Sequence, residues 1–287
     1  MKIVTDSAAE LTPEEMEKYD IVTAPLFIQF PEGEMKSSDI SADDFYNRLE
    51  EMRPNIPTTA QPSSGNFAEI YKRILATGKS AFSIHISAGL SGTINAARVG
   101  AESISENHNI HFWDTMTLSG GERFQVLAAA MALNAGWSME KISERLTEIR
   151  SKTEVIYTLE TLEYLARGGR IGRVSALLGS LLKLKPVINV SHEDGKYSTV
   201  TKMRTIPAAM EAIADNLTGI YQNTPVWVTV LHGRFQKGAE ELATLLDSRL
   251  KVAKMEVTRI SPVLGVHTGP GIVGCAVVPM NLMEDLL

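Results

Sequence analysis

Residues Phe82–Ala97, FSIHISAGLSGTINAA, read as strand, tight turn and helix, and the rest of the chain is organised around them. Phe82, Ile84 and Ile86 alternate with polar residues as a half-buried strand does, Gly89 and Gly92 bracket a sharp turn, and Thr93 to Ala101 carries helix-forming spacing. Ser91 therefore falls at a helix N-terminus, where backbone N–H groups lack intrahelical partners and the helix dipole is positive. A carboxylate or phosphate is stabilised at such an end, although a serine there serves equally well as an N-cap.

The residues before this stretch extend the pattern. Ile3 and Val4 start a buried strand that ends on Thr5, Asp6 and Ser7, which are turn formers and also stand where open α/β sheets bind ligands. Thr12, Pro13 and Glu15 predict a capping box for a helix to Tyr19. Ile21–Phe30 reads as a strand turned by Pro31–Gly33, and Ser41 with Asp44 caps a helix whose Phe45, Leu49 and Met52 share a face. Between Pro54 and Ser64 the prolines predict a stiff loop that presents Thr58, Thr59, Ser63 and Ser64, with either serine able to cap a helix over 66–76. Beyond the opening stretch come a strand over 110–113, ending on Asp114, and helices over 120–134 and 138–150. This alternation predicts a parallel sheet with helices on both faces.

The pattern changes near Ser151. A strand over 155–158 and a helix over 159–165 lead into Arg167-Gly168-Gly169-Arg170-Ile171-Gly172-Arg173, where glycines and guanidinium groups could meet a phosphate or an acidic partner, or simply cap a helix. Val174–Leu182 is apolar nearly all round and must be buried or line an apolar cavity. Strands over 185–190 and 197–203 flank the turn Glu193–Lys196; helices over 207–221 and 235–246 and strands over 226–231, 252–260 and 272–278 complete an α+β half. His267 lies in the run Gly265-Val266-His267-Thr268-Gly269-Pro270-Gly271, read as a loop that fixes an imidazole able to hydrogen-bond a carboxylate.

Composition narrows the function. The chain has 287 residues, a 44% hydrophobic and 22% charged make-up and a net charge of −6, which fits two domains of a soluble protein and gives no electrostatic reason to expect nucleic acid as the main partner. Cys275 is the only cysteine, so no intrachain disulfide forms and it reads as a small buried hydrophobe. The first residues carry no secretory signal, and the apolar stretch near Val174 is too short to cross a bilayer, so a cytoplasmic location is expected. No HExxH, paired CxxC, EF-hand, Walker or GxGxxG pattern occurs, so neither a metal nor a nucleotide cofactor is indicated. Ser91 and His267, with Asp6 or Asp114, would suffice on paper for a serine hydrolase acting on acyl esters, although Thr93 stands where a GxSxG elbow needs its second glycine. A phosphate-reading module built on Arg167, Arg170 and Arg173 is a third possibility.

Taken together, five ordered motifs resemble the DegV family of bacterial fatty-acid-binding proteins. They are Thr5-Asp6-Ser7, Thr59-Ala60-Gln61-Pro62-Ser63, Ser87-Ala88-Gly89-Leu90-Ser91-Gly92-Thr93, Leu165 through Gly172, and Gly265 through Gly271. The resemblance implies a two-domain fold, an N-terminal parallel-sheet α/β domain over 1–152 and a C-terminal α+β domain with a mixed sheet over 153–287, holding one long-chain fatty acid near their junction. It implies that Thr59, Ser91 and His267 bind the carboxylate, supported by Gln61, Ser63, Gly92 and Thr93. It further implies that the chain is not catalytic alone, needs no cofactor and touches membranes at most transiently to load lipid. A separate ATP-dependent fatty acid kinase would phosphorylate the presented carboxylate, a step in phospholipid metabolism, and Arg170, Lys202 and Arg204 match positions implicated in engaging it. Ala60 departs from the family's usual serine, and Ile94 from a frequent tyrosine.

Overall fold

The computed structural model describes residues 1–104, 109–177 and 184–286, the side chains of 175–177 excepted. The chain opens with β1 (Lys2–Asp6), a 3-10 turn and α1 (Pro13–Lys18), whose N-terminus carries the expected capping box of Thr12 and Glu15. Asp6 acts as a turn former, its carboxylate accepting from the N–H groups of Ala8 and Ile86 and pairing with His85 Nδ1 at 3.0 Å. The stretch read as one strand over 21–30 is two, β2 (Val22–Ala24) and β3 (Phe27–Phe30), in different sheets. Pro25 separates them, since it fixes the backbone and offers no N–H to a ladder. β3 turns into β4 (Gly33–Lys36); α2 (Ala42–Glu51) follows, capped by Ser41 as its sequence predicts.

The proline-rich segment is not all loop. Thr58–Ala60 forms β5, pairing antiparallel with β3 so that Thr59 stands opposite Ile28. Next come α3 (Ser64–Leu75), capped by Ser63, β6 (Ala81–His85), α4 (Thr93–Glu102), β7 (Ile110–Asp114), α5 (Ser119–Asn134) and α6 (Met139–Lys152). The chain then runs through β8 (Glu154–Thr158), α7 (Glu163–Arg167), β9 (Lys185–Val190), β10 (Tyr197–Met203), α8 (Ile206–Tyr221), β11 (Val226–His232), α9 (Gln236–Arg249), β12 (Val252–Arg259), α10 (Pro262–Thr268) and β13 (Val273–Pro279). Val174 is buried; residues 178–183 of the apolar stretch lie outside the described residues.

These elements make two main sheets. The first is parallel, in the order β2-β1-β6-β7; the second is mixed, in the order β10-β9-β8-β13-β11-β12, with only β11 and β12 parallel. A small antiparallel sheet, β4-β3-β5, stands beside them. Alternation along the strands fixes the layers. Val4 and Ala81 face α3 and α4, whereas Ile3, Phe82 and Ile84 face a central layer; Ile156, Val228 and Val230 face α8 and α9, whereas Val155, Tyr157 and Trp227 face that same central layer. Helix α5 occupies it, buried from Ser119 to Ala132 on every side because both sheets need an apolar partner there.

His267 lies on a helix, not in a loop. Pro262 at the first turn and Gly269 at the C-cap, with φ 72°, bound α10, the usual proline-in, glycine-out arrangement.

Candidate functional site

Thr59 and His267, 208 positions apart, meet with Thr59 Oγ1 2.8 Å from His267 Nε2. Strand β5 presents the threonine, and α10, packed across β3 and β5, presents the imidazole. The ring is 8% exposed, and its Nδ1 has no hydrogen-bond partner among the described residues. Burial, and then the neighbouring Arg170 guanidinium, pushes the His267 pKa down from 6.5 to about 4, so the imidazole is neutral at pH 7. Arg170 Nη1 donates to the carbonyl of Gly168 at 2.7 Å, which brings the guanidinium to the rim of the site.

Ser91 stands one residue outside α4, whose N-cap is Gly92 and has no side-chain cap. Its Oγ lies 2.8 Å from Thr93 Oγ1 and accepts from the Thr93 N–H at 3.3 Å, so it organises the helix entry without being the cap itself. The Gln61 amide packs so closely on Gly92 that a Cβ there would overlap it. Thr59, Gln61, Ser91, Arg170 and His267 all line one cavity with about 470 Å³ of empty space. A second cavity, about 370 Å³ and walled almost wholly by apolar side chains, adjoins it through the shared residues Leu118, Tyr197 and Leu264. Polar groups thus gather around the first cavity, and the apolar one lies beside it against the mixed sheet.

The other sequence candidates are placed differently. Thr93 is buried behind Ser91. Ser63 caps α3, its Oγ accepting from the Asn66 N–H, and is not on the cavity wall. Lys202 and Arg204 are exposed on and just after the edge strand β10. Arg170, which the family resemblance matches to a partner surface, is exposed and lines the cavity wall; Tyr197, also on the wall, carries no sequence signal beyond strand periodicity. Cys275 is buried on β13, and burial pushes its thiol up, as a small hydrophobe would show.

The two alternative chemistries lack support. Ser91 pairs with Thr93 while His267 Nε2 is held by Thr59, and among the described residues no carboxylate backs His267 Nδ1. Asp6 is engaged by His85, and Asp114 accepts from the N–H groups of Ala88 and Met116, so neither completes a hydrolase triad. The three arginines of the glycine-rich turn diverge: Arg167 pairs with Glu163 at 2.9 Å and Arg173 with Asp194 at 2.5 Å, leaving Arg170 alone at the cavity. Among the described residues no cluster of three or more His, Cys, Asp or Glu is placed to hold a metal ion, and no helix is long and apolar enough to cross a membrane.

A four-stranded parallel sheet and a separate six-stranded mixed sheet define a two-sheet α/β architecture. The chain belongs to the DegV family, whose model, described as "Uncharacterised protein, DegV family", matches residues 1–280. A DegV domain-containing protein of Deinococcus radiodurans is 35% identical over 278 residues, covering 96% of this chain and 95% of the relative. A DegV family protein from Thermus thermophilus, solved in a study of its fatty acid binding, superposes with a TM-score of 0.90 at 29% identity, over 97% of this chain and 99% of that one. DegV of Bacillus subtilis, described as a fatty acid binding protein, superposes at 0.85 and 27% identity, over 97% and 98% of the two chains. A stearic acid-binding protein from Eubacterium ventriosum gives 0.85 at 26% identity, again over 97% and 98%.

Two buried groups at and beside the site predict an unusual pH profile. His267 falls from 6.5 when unfolded to about 4 when folded, so it contributes stability above pH 6.5 that is lost as pH falls toward 4, on the order of 3 kcal/mol. Glu10, which accepts from the Ser261 N–H at the start of α10, is raised by burial from 4.5 to about 7; it contributes stability below pH 4.5 that is lost as pH rises through 7. The two slopes oppose each other between pH 4.5 and 6.5. Urea unfolding of His267→Gln should therefore show stability rising, relative to the parent, as the pH is lowered from 6.5 to 4.5. Parallel profiles for the two proteins would rule out the buried neutral imidazole.

Proposed function

We propose that this chain binds one long-chain fatty acid, with the carboxylate at Thr59, Ser91 and His267 and the acyl chain in the adjoining apolar cavity. The meeting of Thr59 with His267 at the polar end of that cavity carries the reading, and the fatty acids bound by its structural neighbours support it. Burial of each CH₂ contributes about 0.8 kcal/mol, so chain length alone supplies affinity. The headgroup has the opposite requirement, since a buried carboxylate is costly unless several donors meet it. The Ser91 hydroxyl, the helix end at Gly92 and the Thr59–His267 pair, which keeps one proton free beyond its mutual hydrogen bond, supply those donors, with Gln61 in support and the Arg170 guanidinium offsetting the charge. Ala60 puts a methyl group where a serine would add a hydroxyl.

On this reading residues 1–152 and 153–287 are the two domains, and the ligand lies between their sheets. The chain is a substrate-presenting protein without catalytic activity of its own. A separate ATP-dependent fatty acid kinase takes the presented carboxylate to an acyl phosphate, docking on the exposed basic side chains of Lys202 and Arg204 with Arg170 at the cavity rim. The work is cytoplasmic, with membrane contact limited to loading.

Ser91→Ala tests the headgroup assignment. Delipidated variant reloaded with palmitate or oleate should retain the ligand about tenfold less well, the loss of one hydrogen bond to a charged group, with an unchanged circular dichroism spectrum. Equal retention would reduce Ser91 to a helix-entry residue. Incubated with ATP and fatty acid, the chain alone should form no acyl phosphate, and formation without an added kinase would overturn the presenting role.

A further inference from the structure

The apolar cavity has a polar feature that a plain hydrocarbon chain does not use. Tyr157 on β8 and Tyr197 on β10 both line it, 5% and 4% exposed, with their rings edge to face and centroids 5.8 Å apart. The Tyr157 hydroxyl is fully buried and has no hydrogen-bond partner among the described residues. Other polar side chains on the wall are satisfied within the fold: Ser119 Oγ donates to Glu10 and Thr268 Oγ1 to the Leu264 carbonyl. Burial pushes Tyr157 up and Tyr197 up to about 12, so both remain protonated donors at neutral pH. Even a hydrogen bond between the two hydroxyls would use only one of their two protons. At least one buried donor is therefore left over, and a buried donor that nothing accepts is costly.

Tyr197 also walls the headgroup cavity, so this donor lies toward the carboxylate end of the passage. We infer that the ligands favoured by this chain are oxygenated fatty acids, with a hydroxyl on the carboxylate-proximal part of the acyl chain that pairs with the Tyr157–Tyr197 hydroxyls. The inference rests on the fatty-acid reading. It assigns to the tyrosine pair the choice between a plain and an oxygenated chain, because a buried donor is satisfied by one and stranded by the other.

Competition binding to delipidated protein tests it, with palmitate, α-hydroxypalmitate, β-hydroxypalmitate and ω-hydroxypalmitate as probes. One of the proximal isomers should displace palmitate with about tenfold tighter binding, and the ω isomer should bind no better than palmitate. Tyr157→Phe, which keeps the ring packing, should still bind palmitate and should lose the tenfold preference. Equal binding of palmitate and both proximal isomers by the parent protein overturns the inference. So does a preference that survives in Tyr157→Phe, which would leave an ordered water as the partner of the hydroxyl. Failure of every probe, palmitate included, to bind the parent would instead overturn the carrier reading, and this inference with it.

Discussion

Gly168→Ala is expected to weaken fatty-acid retention by about tenfold to a hundredfold, although residue 168 need not touch the ligand. A Cβ at this position would overlap His267 Nδ1 and stand 2.9 Å from its Cε1. The backbone of Gly168 is helical, with φ −72° and ψ −7°, so alanine brings no dihedral penalty and the effect is purely one of space. The imidazole, 8% exposed and held by Thr59, cannot keep its place beside such a Cβ. It must rotate away, which breaks the 2.8 Å contact and removes a donor worth about 1.5–3 kcal/mol to a charged headgroup. Overpacking alone costs about 1–3 kcal/mol of stability, so ligand retention and unfolding free energy should be measured on the same samples. Full retention with lowered stability would show that His267 does not hold the carboxylate.

Arg123→Met should cost about 3 kcal/mol of unfolding free energy. Arg123, on the central helix α5, is 6% exposed and joins three parts of the fold. Its Nε and Nη2 reach Glu15 on α1 at 3.0 and 2.5 Å, its Nη1 reaches Glu256 on β12 at 2.6 Å, and its guanidinium stands 5.9 Å from the Trp227 ring centroid. Methionine keeps much of the packing volume but leaves two half-buried carboxylates, of which, among the described residues, only Glu256 retains another cation, Lys254 at 3.0 Å. Urea titration at pH 7 reads the loss, and adding Glu15→Gln and Glu256→Gln to the variant should return most of it. A loss below about 1 kcal/mol, the value of a surface pair, would mean that Arg123 does not tie α1 to β12.

What could be read from the sequence follows the range of the interactions. Strands β9 and β10 and the capped starts of α1, α2, α3 and α6 are written in local patterns and appear where those patterns place them. β5 was hidden because three residues among prolines carry no period, and only pairing with β3 makes them a strand. α10 was hidden because seven residues with an internal glycine resemble a loop, while its real signals, Pro262 and Gly269, look like punctuation. The divergence of Arg167, Arg170 and Arg173 depends on Glu163 and Asp194, which adjacency in the chain does not reveal. The meeting of Thr59 with His267 is likewise a product of tertiary packing. In the sequence it could be anticipated only through resemblance to a family, since neither residue announces its partner 208 positions away.

The fatty acid itself is the most direct test of the account. The protein should be purified from a bacterial host without added lipid, denatured, extracted with organic solvent and quantified by mass spectrometry against protein concentration. About one long-chain fatty acid per chain is the predicted result. An extract without fatty acid, from protein that also takes up neither palmitate nor oleate when offered, would contradict the carrier reading of the cavity.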